Sequence, residues 1–102
     1  MIKITIKKRK NEVYEIVTKG HADFADYGKD IVCAAVSTMI TTTINNIIAL
    51  DDSISYEVNS GFLKIRVEKN TDINKKLLDN LVRMLEELKS QYPKNIEIRN
   101  ED

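Results

Sequence analysis

The stretch DIVCAAVSTMITTTINNIIAL, Asp30 to Leu50, contains no glycine or proline, and no charge after its first residue. Whether it forms a helix or a strand decides the fold. Thr41-Thr42-Thr43 is poor helix material, and Thr38 to Ile44 read alone could be a strand. Length settles the matter, because buried strands rarely exceed about eight residues. Val36, Ile40, Ile44, Ile47 and Ile48 then recur at helical spacing and form a wide apolar stripe to lay on a sheet. Asp30 is a good N-cap residue, which makes Ile31 N1, Val32 N2 and Cys33 N3. Residues 31–36 are apolar nearly all round, so the start of this helix is expected to be buried on several sides.

The segments on either side carry the period of strands. Ile2, Ile4 and Ile6 alternate with Lys3, Thr5 and Lys7, and a polar turn at Lys8-Arg9-Lys10-Asn11 leads to a second strand, Val13 to Lys19. The connection is short enough to make the pair antiparallel. After Asp51-Asp52, Ile54, Tyr56 and Val58 alternate; Asn59-Ser60-Gly61 turns the chain; Leu63, Ile65 and Val67 alternate again. Asn70-Thr71-Asp72 offers caps for a second helix, from about Ile73 to Gln91, with Leu77, Leu78, Leu81, Leu85 and Leu88 as its stripe and Pro93 beyond its end. Ile96 and Ile98 make a short last strand before a charged end expected to fray. The order is β-β-α-β-β-α-β. An α+β fold follows, one domain over residues 1–102, with a mainly antiparallel sheet and two helices packed on one face. Tyr14, Val17 and Phe62 suggest apolar patches on the other face, which a second copy of the chain would cover.

Sixteen basic and sixteen acidic residues cancel, so no global field recruits nucleic acid or an anionic membrane. Lys8-Arg9-Lys10 could touch RNA, but such a turn is ordinarily just solvated. The N-terminal residues lack the charged-then-apolar pattern of a signal, and no apolar run is expected to span a bilayer. One cysteine and one histidine can form neither an internal disulfide nor a structural zinc site. No metal or cofactor is expected, and the reduced cytoplasm is the expected setting for the thiol.

The lone histidine, His21, and the lone cysteine, Cys33, lie within one short stretch. Imidazole and thiol together make a nucleophile and its base. A single cysteine among Ile31, Val32, Ala34, Ala35 and Val36 behaves by default as a small buried hydrophobe. Against that default, its place in the first helical turn puts the sulfur near the positive end of the dipole. That end is worth about 0.3–1 kcal/mol to a charge, too little to deprotonate a thiol at neutral pH, and Asp30 opposes it. If Cys33 is catalytic, His21 is therefore obligatory. Gly20 permits a sharp exit from the strand before His21, and Gly28 gives the segment from Ala22 to Lys29 one permissive joint. Asp23 and Asp26 are better read as solvated loop carboxylates than as groups orienting the imidazole. Ser37, four residues after Cys33, shares its helix face; it could bond the thiol or a substrate, or its own i−4 carbonyl. The loop from Ala22 to Lys29, with few aliphatic residues, is expected to close over a bound peptide.

Gly20-His21, Tyr27-Gly28, Asp30-Ile31-Val32-Cys33-Ala34 and Ser37 together resemble the signature of the bacterial ribosomal-processing cysteine proteases, the Prp family. The resemblance extends over the whole chain, with Phe24-Ala25 standing where members often carry smaller or more polar residues. It implies a dyad of Cys33 and His21, with Gly20, Asp30 and Ser37 in support. It also implies a substrate, the precursor of large-subunit ribosomal protein number twenty-seven, cut after an aromatic residue to remove its N-terminal extension. Such proteins are expected to be homodimers and to need no cofactor. Backbone N–H groups at the start of the Asp30 helix are the expected oxyanion donors. Two other classes compete with this reading. A non-catalytic ribosome-associated binding module would function without Cys33. A redox-sensing thiol would lack a second cysteine to resolve a sulfenic acid.

Overall fold

The helix over the deciding stretch, α1 (Ile31–Leu50), is capped as the sequence requires. The computed structural model describes residues 1–20 and 30–102. In chain order they form β1 (Ile2–Arg9), β2 (Glu12–Lys19), α1, β3 (Ile54–Asn59), β4 (Phe62–Val67), α2 (Asp72–Gln91) and β5 (Ile96–Glu101). The threonines at 41–43 do not break α1, because its burial is set elsewhere: Val32, Val36, Ile40, Ile44 and Ile47 are the buried side chains. Packing of that stripe outweighs the weak helix propensity of the threonines.

The five strands make one sheet in the order β3-β4-β2-β1-β5. Every adjacent pair is antiparallel except β1–β5, which is parallel and aligns Ile2 with Ile96 and Ile4 with Ile98. That pairing carries β5 through Glu101, so the charged C-terminal segment is ordered in the sheet where fraying was expected. The turn joining β1 to β2 is tighter than the four-residue stretch suggested: Lys10 and Asn11 both take positive φ, 53° and 65°. This is the geometry that matches a two-residue hairpin to strand twist.

Alternation sorts the sheet into two faces. Ile2, Ile4 and Ile6 of β1, Ile16 of β2, Leu63 and Ile65 of β4 and Ile96 of β5 point to the helices and are buried. With the α1 stripe and Leu78, Leu81, Leu85 and Leu88 of α2 they form the core. The opposite face carries Lys3, Lys7, Lys19, Lys64 and Arg66 with Glu15, Glu57 and Glu97. Val17 and Phe62 do lie there, half-buried, but among charges. Tyr14 sits beside the β-bulge with the Arg9 guanidinium 4.6 Å over its ring. The helix-free face is thus a charged surface, and the expected apolar patch is confined to two side chains. Glu15 organises its middle. Burial pushes this carboxyl up, but Lys7 at 3.0 Å and Lys64 at 3.5 Å outweigh burial and hold it below the usual glutamate range.

Two further expectations fail at α1. Its start is not buried on several sides: Ile31 is 56% exposed and Ala34 is exposed, because only one stripe of the helix faces the sheet. The helix is also long and apolar enough to cross a bilayer by length and composition, contrary to the expectation that no run would be. Its polar residues are uncharged Ser, Thr and Asn, which leave the average apolar. At its far end Asp51 accepts from the Ser53 hydroxyl at 2.6 Å and the Thr71 hydroxyl at 2.5 Å, and Asn74 Nδ2 donates to Ser53 Oγ at 2.7 Å. This knot fastens the end of α1 to the start of α2.

Candidate active site

The start of α1 is set by one carboxylate. Asp30, 9% exposed, takes extended backbone geometry, and its Oδ1 accepts from the N–H of Val32 at 2.9 Å and of Cys33 at 3.0 Å. Cys33 is therefore held at N3, half-buried at the helix mouth. The same bonds alter one expectation. Of the N–H groups at the start of the helix, from which the oxyanion donors were expected, those of Val32 and Cys33 are engaged by Asp30. They bear a carboxylate where a developing oxyanion would need them unoccupied. With Asp30 against the first turn, the dipole has still less capacity to create a thiolate.

Cys33 opens onto a cleft of about 220 Å³ between the start of α1, the ends of β1 and β2, and the β3–β4 hairpin. Ile2, Val36 and Leu63 supply an apolar lining; Val58, Asn59, Gly61 and Phe62 form the hairpin side. Ser37 shares the cleft one helical turn beyond Cys33, is exposed, and has its side chain on the same face as the sulfur. Gly20 is part of the wall. Its φ is +91°, and a Cβ there would lie 2.6 Å from the Met1 carbonyl oxygen, so glycine is needed for both conformation and space. The Gly20 N–H donates to the Gly61 carbonyl at 2.9 Å, which pins the exit of β2 to the hairpin.

The structure thus brings Gly20, Cys33 and Ser37 to one cleft and puts Asp30 at the N-cap of the helix that carries Cys33 and Ser37. His21 and the loop from Ala22 to Lys29 lie outside the described residues. One residue of the cleft escaped the sequence reading. Thr18 is 6% exposed, and its Oγ1 is buried without a hydrogen-bond partner among the described residues. The only signal in the sequence was a hydroxyl at a core-facing position of β2, where the alternation calls for an aliphatic side chain. Among the described residues no group of three or more His, Cys, Asp or Glu could hold a metal ion.

A thiol at a capped helix start, at the mouth of a largely apolar cleft on a small α+β domain, is placed where a nucleophilic cysteine could meet a substrate. Comparison with known proteins identifies the family. The family model described as cysteine protease Prp matches residues 1–97. The ribosomal processing cysteine protease Prp of Staphylococcus aureus is 34% identical over 91 residues, covering 85% of this chain and 86% of the relative. A crystal structure of an essential ribosomal processing protease Prp from S. aureus, with a covalently linked product peptide, superposes with a TM-score of 0.90 at 32% identity. It covers 99% of this chain and 100% of that one. A second S. aureus structure, in complex with a substrate peptide, gives 0.83 at 26% identity, again over 99% and 100% of the two chains. The chain belongs to the Prp family of ribosomal processing cysteine proteases.

Proposed function

We propose that this protein removes the N-terminal extension from the precursor of large-subunit ribosomal protein number twenty-seven, cutting after an aromatic residue. Cys33 and His21 act as the dyad. The Cys33 Sγ attacks the scissile carbonyl and forms a thioester as the C–N bond breaks. His21 holds the pair as thiolate and imidazolium and then gives its proton to the leaving amine; water hydrolyses the thioester. The observation that carries this reading is the placement of Cys33 at N3 of the Asp30-capped helix, opening onto the cleft. Two features support the division of labour. Asp30 opposes a thiolate, so activation falls to the imidazole that follows Gly20. The apolar lining from Ile2, Val36 and Leu63 suits an aromatic side chain before the cut. The binding of substrate and product peptides by the S. aureus relatives supports a ribosomal protein as partner.

The protein works in the cytoplasm as a homodimer in this reading. The dimer rests on family resemblance, since the helix-free face is charged. The test is incubation with the precursor from the same organism, with mass spectrometry locating the cut. Cleavage after an aromatic residue by the wild-type protein, lost in Cys33→Ala and in His21→Ala, is expected. A Cys33→Ala protein that still supports ribosome maturation would favour a non-catalytic binding module.

A further inference from the structure

Strand β3 is an outer edge of the sheet, and two hydrogen bonds fix which of its main-chain groups face outward. The Gly20 N–H donates to the Gly61 carbonyl at 2.9 Å, one step beyond the Lys19–Phe62 pair of β2 and β4. Main-chain bonding alternates along a strand, so Leu63 and Ile65 turn their N–H and C=O groups toward β2. Phe62, Lys64 and Arg66 then face β3, opposite Asn59, Glu57 and Ser55. At the other end the Glu68 N–H donates to the Ser53 carbonyl at 2.9 Å, in the same parity. Ile54, Tyr56 and Val58 are left with N–H and C=O directed away from the sheet.

The side chains along that edge are unusual. Tyr56 and Val58 pair with Ile65 and Leu63, so they lie on the helix-bearing face, yet they are 54% and 56% exposed. The helices leave this strip of the sheet uncovered. None of the usual guards is present at the outward positions: no lysine, no proline and no bulge. The edge also leads to the site, because Val58 and Asn59 line the same cleft as Cys33. The α1 helix beside it carries no charge over its 20 residues. An edge left unguarded by the described residues, with apolar side chains and continuous with the Cys33 cleft, matches an extended peptide bound by strand addition.

We propose that the substrate binds as a sixth strand on the outer edge of β3. It exchanges main-chain hydrogen bonds with Tyr56 and Val58, lays alternate side chains on those two residues, and presents its scissile bond to Cys33. This rests on the peptidase reading above. Main-chain bonding supplies affinity for any extended segment, while the cleft selects the residue before the cut. Substrate preference is then strong at the cleft position and at alternate positions that face Tyr56 and Val58, and weak between them.

The test is residue-resolved amide exchange by NMR on the Cys33→Ala protein, with and without a synthetic peptide spanning the cleavage site. The Tyr56 and Val58 amides are expected to slow at least tenfold on binding, while the Glu57 amide, already bonded to β4, changes little. In an otherwise active enzyme Val58→Pro removes one outward donor without breaking a β3–β4 bond. It is expected to raise KM about tenfold, whereas Glu57→Pro breaks the ladder and lowers Tm. Peptide binding seen at Val36 and Ser37 with unchanged exchange at Tyr56 and Val58 would overturn strand addition while leaving the peptidase standing. So would protection that depends on protein concentration instead of peptide, which would assign the edge to a second copy. A wild-type protein that neither cuts nor binds the peptide would overturn the peptidase reading, and strand addition with it.

Discussion

Replacing Gly20 by alanine tests the geometry that hands the chain from β2 to the segment beginning at His21. At φ +91° an alanine is strained by about 1–2 kcal/mol from its Cβ alone. The added carbon would also stand 2.6 Å from the Met1 carbonyl oxygen, where real contacts do not fall below 3.0 Å. The obstructing atom is backbone, so no rotamer change relieves it. Either the start of β1 retreats, pulling on the bond from the Ile2 N–H to the Asn95 carbonyl at 2.9 Å, or Gly20 leaves the Gly61 carbonyl. Each such bond contributes about 0.5–1.5 kcal/mol. The expected loss is about 2–4 kcal/mol, a large share of the ~5–15 kcal/mol that holds a domain folded. At roughly 4–8 °C per kcal/mol for a domain of this size, Tm falls by about 8–32 °C. Urea denaturation gives the free energy and a thermal scan the midpoint. The precursor assay should show a further loss of kcat/KM at temperatures where the variant is still folded, because the residue moved is the one before His21. An alanine variant within about 0.5 kcal/mol of wild type, the scale of an ordinary surface substitution, would show that neither the positive φ nor the approach to Met1 requires glycine.

Other substitutions probe the remaining contacts. Asp30→Ala removes the acceptor shared by Val32 and Cys33 and should cost about 0.5–2 kcal/mol by urea denaturation, with Asp30→Ser recovering most of it. Thr18→Val removes a buried hydroxyl that has no partner among the described residues, so stability should rise by about 1 kcal/mol; a loss would mean the hydroxyl is satisfied in solution. Glu15 has its carboxyl held low by Lys7 and Lys64, so its contribution is present above the unfolded value of 4.5 and disappears as pH falls through the lower folded value. Glu15→Gln should therefore be less stable than wild type at pH 7, with the gap in denaturant midpoint narrowing below pH 4.5.

Much of this molecule is legible in its sequence because its elements are strongly patterned. The isoleucines of β1 and the leucines of α2 carry the periods that the burial follows, and Asp30 and Thr71 cap the helices as their side chains require. What escaped the sequence depends on long-range pairing. Nothing local to Ile96 or Ile98 says that β5 joins β1 in parallel, or that this extends the strand through Glu101. The apolar start of α1 suggested burial all round, but three-dimensional packing used one stripe and left Ile31 exposed. At the site, Gly20, Cys33 and Ser37, singled out in the sequence, come to line one cleft. That Asp30 takes the N–H groups of both Val32 and Cys33 is a matter of where one carboxylate oxygen sits, and residue types alone cannot show it. The buried Thr18 hydroxyl is likewise visible only once Leu63 and Ile4 are placed on either side of it.

A nucleophilic Cys33 leaves a covalent trace. Wild-type protein mixed with the cleavable precursor peptide, quenched in acid and weighed intact, should carry an adduct equal to the N-terminal product less one water. Peptide mapping should place it on Cys33, and the Cys33→Ala protein should carry none and cut nothing. Cleavage at the same bond by Cys33→Ala, or an adduct mapped to any other residue, would rule out Cys33 as the nucleophile.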